Sequence, residues 1–151
     1  MKLEIFTDGG CLGNPGEAAI GVVIKNGSKT IKTFNRAIGQ GTNNIAEYTA
    51  LIYALQEALM LKADEVNVKT DSELMYKQLQ GTYAVKHANI KPLFDQVQHL
   101  IKGFKTFQIT HVPREQNSEA DALVRQVFKK AVSDGCSDAY SVGEESPSSK
   151  G

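Results

Sequence analysis

The sequence predicts an α/β domain, a mixed β-sheet covered by helices, and three observations carry that expectation. Five short segments have strand patterning. The first three follow one another with only turns between them, as an antiparallel meander does. The last two are separated from the rest by helical segments, the order of a sheet flanked by helices. A chain of 151 residues suits one such domain with a single core, and no internal repeat is visible.

The elements follow in order. Residues 2–8 read as a strand, with Leu3, Ile5 and Thr7 alternating against Glu4 and Phe6. Residues 9–17 contain four glycines and Pro15, so a loop is expected. Residues 19–25 are apolar and β-branched, Asn26-Gly27 is a strong hairpin turn, and residues 29–36 alternate as the returning strand. Tyr48, Leu51, Ile52, Leu55 and Leu59 recur at helical spacing and predict a helix over residues 43–61. A short strand at 65–70 uses Val66 and Val68, and a helix at 72–80 is ended by Gly81. Leu93, Val97, Leu100 and Ile101 predict a helix over 88–102. A strand at 106–112 is stopped by Pro113, and a final helix covers 117–132. Beyond it Ser, Asp, Gly and Pro dominate. The expected organisation is a domain over residues 1–132 and a flexible tail over 133–151.

Composition excludes several classes. No run of 18 apolar residues exists, so no helical membrane span is expected. The N-terminus enters a strand pattern at once with charges inside it, unlike a signal peptide. Cys11 and Cys136 lie far apart and match no metal or redox spacing. A monomeric, cytoplasmic protein with reduced thiols is the expectation. His87 and His99 have no ligand partners at metal spacing, and the glycine-rich segment lacks the Gly-Lys-Ser/Thr of a phosphate loop.

Four carboxylates stand out: Asp8, Glu47, Asp71 and Asp121. Each has a bland local explanation. Asp8 precedes Gly9-Gly10 as a turn former would. Asp71 sits where a helix N-cap belongs. Glu47 and Asp121 each follow Asn44 or Ser118 at capping-box spacing. Their directions argue for more. Glu47 heads the row Leu51, Leu55, Leu59, and Asp121 heads Val124 and Phe128, so both acids lie on sheet-facing helix sides. Asp8 and Asp71 end strands, the edge where open α/β sheets place their sites. Brought together, each close pair of such acids costs about 4 kcal/mol at roughly 4 Å and an effective dielectric near 20. A cation is the natural relief.

The formal net charge is zero, but it is unevenly spread. Residues 134–151 carry four acids and one lysine, leaving 16 basic against 13 acidic residues in the remainder. With the four candidate acids neutralised by metal, 16 face 9, a modest phosphate-facing bias.

Four blocks in order strongly resemble type 1 ribonuclease H: Thr7-Asp8-Gly9-Gly10-Cys11-Leu12-Gly13-Asn14-Pro15-Gly16, Thr42-Asn43-Asn44-Ile45-Ala46-Glu47, Thr70-Asp71-Ser72 and Asn117-Ser118-Glu119-Ala120-Asp121. The match runs over roughly residues 2–131. It implies the ribonuclease H fold, a five-stranded mixed sheet flanked by helices, and endonucleolytic cleavage of the RNA strand of an RNA–DNA hybrid. It implies that Asp8, Glu47, Asp71 and Asp121 are metal-binding acids, Asp8 shared between two Mg²⁺ ions (or Mn²⁺) about 4 Å apart. Product ends would be a 5′-phosphate and a 3′-hydroxyl. Gly9, Gly10, Cys11, Asn14, Asn43 and Asn44 resemble the surface that meets ribose 2′-hydroxyls, and Thr42 with Asn43 resembles a pocket for a DNA-strand phosphate.

The chain also departs from that pattern. Residues 81–87 run directly to the next helix, with no Lys/Arg- and Trp-rich extra helix and no Trp in the chain, the compact form without a basic protrusion. Glu73 stands where the family carries glutamine. The family's flexible-loop histidine matches His111 by counting back from Asp121, or Arg114 or Glu115 when Val112-Pro113 is aligned as the strand end. The second alignment is favoured, because His111 continues the strand. Two other readings are a hybrid- or RNA-binding module with weak activity, and another nuclease of the same superfold.

Overall fold

The computed structural model describes residues 1–131. The expected tail, the last residue of the expected domain and Cys136 lie outside them. Five strands form one sheet: β1 (Lys2–Leu12), β2 (Gly16–Asn26), β3 (Lys29–Gly41), β4 (Glu65–Thr70) and β5 (Thr106–His111). Their spatial order is β3-β2-β1-β4-β5, with β1, β2 and β3 antiparallel and β1, β4 and β5 parallel. Four helices complete the fold: α1 (Asn43–Met60), α2 (Glu73–Leu79), α3 (Lys91–Ile101) and α4 (Ser118–Ala131), the last entered through a 3-10 turn at Arg114–Asn117. The mixed sheet flanked by helices is as expected.

Side-chain alternation along the strands assigns the layers. Leu3 and Ile5 of β1, Val22 and Ile24 of β2 and Val66 and Val68 of β4 pack with Tyr48, Leu51 and Leu55 of α1 in the main core. Gly21, of opposite parity on β2, faces α4: a Cβ there would stand 2.5 Å from the Ala120 carbonyl oxygen. So α1 and α4 cover opposite faces of the sheet. The α3 helix stacks on α1 through Val97 and its half-buried neighbours. Tyr48 donates to Gln78 Oε1 at 2.7 Å, which ties α2 to α1. No helix among the described residues is long and apolar enough to cross a membrane.

Element ends differ from the sequence expectation where tertiary packing overrides local signals. The loop expected over 9–17 shrinks to Gly13-Asn14-Pro15, because β1 continues through Gly9 and Gly10 and pairs with β2 as far as Leu12↔Glu17. Glycines that read as a loop are strand residues under a close-packed helix. The β3 strand runs to Gly41 rather than residue 36. A bulge between Ala18 and Ala19, with Gly39 at φ +81°, absorbs the extra residue. The α3 helix starts at Lys91 rather than residue 88, since Pro92 lacks an N–H and fits only a first turn.

Among the glycines of the sheet, a helix lies tightest against Gly9, where a Cβ would stand 2.3 Å from the Ala46 carbonyl carbon. Relief requires α1 to move off the sheet. Gly27, at φ +65° with nothing within 4 Å, has only a conformational reason to be glycine. Gly9→Ala is therefore expected to cost about 3 kcal/mol or more, and Gly27→Ala about 1–2 kcal/mol. Urea denaturation of both variants checks the ranking, and equal losses would contradict it.

Candidate active site

The parallel ladders end together. The β1–β4 register stops at Phe6↔Lys69 and β4–β5 at Thr70↔His111, so Asp8 lies two residues past one ladder and Asp71 just past the other. Asp8 does not end its strand as expected, since β1 runs on beside β2, but it lies at the C-terminal edge of the parallel part. Against this edge α1 brings Glu47. Carboxylate oxygens of Asp8, Glu47 and Asp71 all lie within 4.8 Å of one another. Asp8 and Glu47 are buried and Asp71 is half-buried.

The local explanations for these acids give way to others. Thr42, not Asn44, is the N-cap of α1, its hydroxyl accepting from Ile45 N at 3.2 Å. Glu47 is a full turn inside the helix and accepts from Gly9 N at 3.0 Å, so it forms no capping box. Ser72 caps α2 by accepting from Met75 N at 3.2 Å, which leaves Asp71 outside the cap. Asp121 sits in the first turn of α4 and pairs with Arg125 at 2.8 Å. The structure thus brings three of the four acids together. Asp121 stands outside that group, yet near enough that its charge raises the pKa of both Glu47 and Asp71.

Burial and crowding govern the electrostatics. Desolvation first, then the charge of Asp71, push Glu47 well above the usual carboxylate range, against the Gly9 hydrogen bond and the nearby Arg114 charge. Asp71 is raised chiefly by desolvation, opposed by the Asn117 amide and by Arg114. Two carboxylates that resist ionising, Glu47 and Asp71, with Asp8 beside them, fit a hard divalent cation, whose preferred ligands are oxygens. The donor set suits Mg²⁺ or Mn²⁺ better than softer metals.

Glu47 and Asp71 open into a cleft of about 350 Å³, lined also by Asn43, Asn44, Ser72, Glu73, Leu74 and Arg114. Of the two flexible-loop alternatives, Arg114 lines this cleft from the 3-10 turn. His111 is the exposed last residue of β5, its ring 5.8 Å from that of Tyr76, as expected of a strand residue. At the far side, the turn between β1 and β2 is tied to the start of α1. Asn14 Oδ1 accepts from Asn43 N at 3.1 Å, and the buried Cys11 thiol donates to Asn43 Oδ1 at 3.1 Å. Burial raises the Cys11 pKa, so this thiol is a hydrogen-bond donor rather than a nucleophile. A Cβ at Gly10 would meet only Val124 Cγ1, at 3.8 Å, while the space beside Gly9 is filled by α1.

One residue of the site is given no role by the sequence pattern. Asn117 is 1% exposed, and its Nδ2 donates to the Thr7 carbonyl at 2.8 Å and reaches Asp71 Oδ2 at 3.5 Å. Its sequence signal is its place at the head of the fourth block, an asparagine at a helix start four residues before an acid, which assigns it no role.

Glu47→Gln keeps the acceptor for Gly9 N–H and removes the charge. From the ordinary value of 4.5 upward, the unfolded chain ionises Glu47 while the fold resists it, so wild-type stability falls as pH rises toward the raised folded pKa. Below 4.5 both states are protonated and the effect vanishes. In EDTA at neutral pH the variant should melt above wild type by about 3 °C or more, the shift expected of roughly 1 kcal/mol in a chain this size. The gap should close at pH 4, and a lower-melting variant at neutral pH would contradict the assignment.

Residues 6–127 match the family model described as Reverse transcriptase-like. A bifunctional protein of Mycobacterium tuberculosis is 38% identical over 100% of this chain, which spans 43% of that relative's length. Among solved structures, ribonuclease H1 of the halophilic archaeon Halobacterium salinarum superposes with a TM-score of 0.84 at 36% identity, covering 87% of this chain and 100% of that one. LC11-RNase H1, crystallised in complex with an RNA/DNA hybrid, gives 0.81 at 42% identity over 86% of this chain and 99% of its own. With the expected mixed sheet and acids at its parallel edge, the chain belongs to the type 1 ribonuclease H family.

Proposed function

We propose that residues 1–132 form a divalent-metal-dependent endoribonuclease that hydrolyses the RNA strand of RNA–DNA hybrids. The observation that carries this reading is the three-carboxylate group at the parallel sheet edge, with Asp8 and Glu47 buried and Glu47 and Asp71 open to a cleft. Family membership and a relative crystallised on a hybrid support the substrate class.

In this reading Asp8, Glu47 and Asp71 would hold the Mg²⁺ or Mn²⁺ ions, and Asp121 would complete the set from the side of α4. A divalent cation held there would supply Lewis-acid chemistry, lowering the pKa of water and offsetting charge on the leaving oxygen. The protein supplies position. Gly9 N–H orients Glu47. Arg114 presents forked donors at the cleft wall to a phosphate. His111 is assigned no catalytic part, because it packs on Tyr76 at the strand end. Asn14, Asn43 and Asn44 offer the polar groups that would tell ribose from deoxyribose by its 2′-hydroxyl, while Cys11, Gly9 and Gly10, expected to share that surface, are buried behind it. Thr42 and Asn43, at the start of α1, receive a phosphate of the DNA strand, where a helix N-terminus favours anions. The products carry 5′-phosphate and 3′-hydroxyl ends.

End-labelled RNA–DNA hybrid should be cut internally with Mg²⁺ and spared in EDTA, while duplex DNA stays intact. Asp71→Asn should lower the rate by more than the about 10–100-fold typical of outer-shell changes. Equal cutting by Asp71→Asn, or stepwise trimming from an end, would overturn the reading.

A further inference from the structure

Asn117 occupies a place that none of its local roles accounts for. It is the last residue of the 3-10 turn, directly before α4, and is 1% exposed. A polar side chain so deeply buried needs a reason. Both atoms facing its amide are acceptors, the Thr7 carbonyl at 2.8 Å and Asp71 Oδ2 at 3.5 Å. The amide must therefore present its nitrogen to them, since the flipped oxygen would oppose two acceptors. The two hydrogens of one nitrogen serve both contacts. The shorter bond places the amide, and the longer one acts on the carboxylate.

This nitrogen links three parts of the site. Thr7 adjoins Asp8 on β1, Asp71 follows β4, and Asn117 leads into the helix that carries Asp121 four residues on. The chain separations are 110 residues to Thr7 and 46 to Asp71, so no local turn preference explains the arrangement. Gln, one methylene longer, could not keep both contacts without moving the turn, and Asp would set a second acceptor against Asp71.

We infer that Asn117 is a positioning residue that holds Asp71 in a cation-ready orientation and fixes the start of α4 to the same point on β1. The inference rests on the functional reading only in taking Asp71 as a cation ligand. A hydrogen-bond partner behind a ligating carboxylate fixes its orientation, and losing one typically costs about 10–100-fold in metal affinity.

The test uses the full chain and Mn²⁺ alone, without nucleic acid. Isothermal titration compares wild type, Asn117→Ala, Asp71→Asn and the double variant, with circular dichroism confirming that each is folded. Asn117→Ala should weaken Mn²⁺ binding about 10–100-fold, and in the Asp71→Asn background the same change should have little further effect, because the two act as one unit. If the alanine variant does not fold, Asn117→Ser, which retains one donor, is read the same way and should weaken binding less. Wild-type affinity in the folded variant overturns the inference, as does an undiminished loss in the Asp71→Asn background. A chain that follows this cycle but cuts no hybrid would sink the proposed function and leave the role of Asn117 standing.

Discussion

The site depends on one close approach, that of α1 to the backbone of β1 at Gly9. Only a glycine permits it, because a Cβ would meet the main chain of Ala46 and Glu47 at 2.3–2.6 Å. The same contact lets Gly9 N–H reach Glu47 Oε1 at 3.0 Å. A packing constraint and a hydrogen bond thus share one residue, next to Asp8. Move α1 outward by a side chain's width and Glu47 leaves the group, whatever the rest of the sheet does. Gly21 performs the matching service on the other face, where a Cβ would stand 2.5 Å from the Ala120 carbonyl oxygen of α4. Two glycines therefore set the depth at which both helices place their acids.

The energetic cost of that geometry is borne by the carboxylates. Glu47 is buried beside Asp71 and near Asp121, and its ionised form is disfavoured by desolvation and by like charge together. A hydrophobic residue there would give a more stable fold, since burying a charge without an opposite partner is costly. Strain of this kind concentrates where function requires it. The neighbouring donors, Gly9 N–H, the Asn117 amide and Arg114, offset only part of the penalty. The remainder is what a cation would relieve, so the metal-free fold already carries the drive to bind one.

Much of this was legible in the sequence, and the reason is periodicity. Leu51 and Leu55 announce the buried side of α1, and Glu47 one turn earlier shares that side, so its inward direction follows from spacing alone. Asp71 could be placed at a strand end because Val66 and Val68 mark β4, whereas Leu3 and Ile5 mark β1 but not its continuation past Asp8. What could not be read were relations between distant backbones. Gly9 and Gly10 look like loop residues, since nothing local says that a helix lies against them. The bulge at Gly39 and the turn ending in Asn117 have the same cause: their partners are far away in the chain. Asp121 shows the limit from the other side. Its helix row points inward as expected, but Arg125 one turn on holds its carboxylate at 2.8 Å, outside the three-acid group.

If the Gly9–α1 contact builds a cation site from Asp8, Glu47 and Asp71, an ion must seat on all three at once. A crystal of the chain soaked in Mn²⁺, with the ion located by its anomalous scattering, puts this to the test. The ion should lie about 2.1 Å from oxygens of these three residues, with Gly9 N–H still bonded to Glu47. An ion bound elsewhere, or Glu47 turned away from Gly9 with the ion in place, would contradict it.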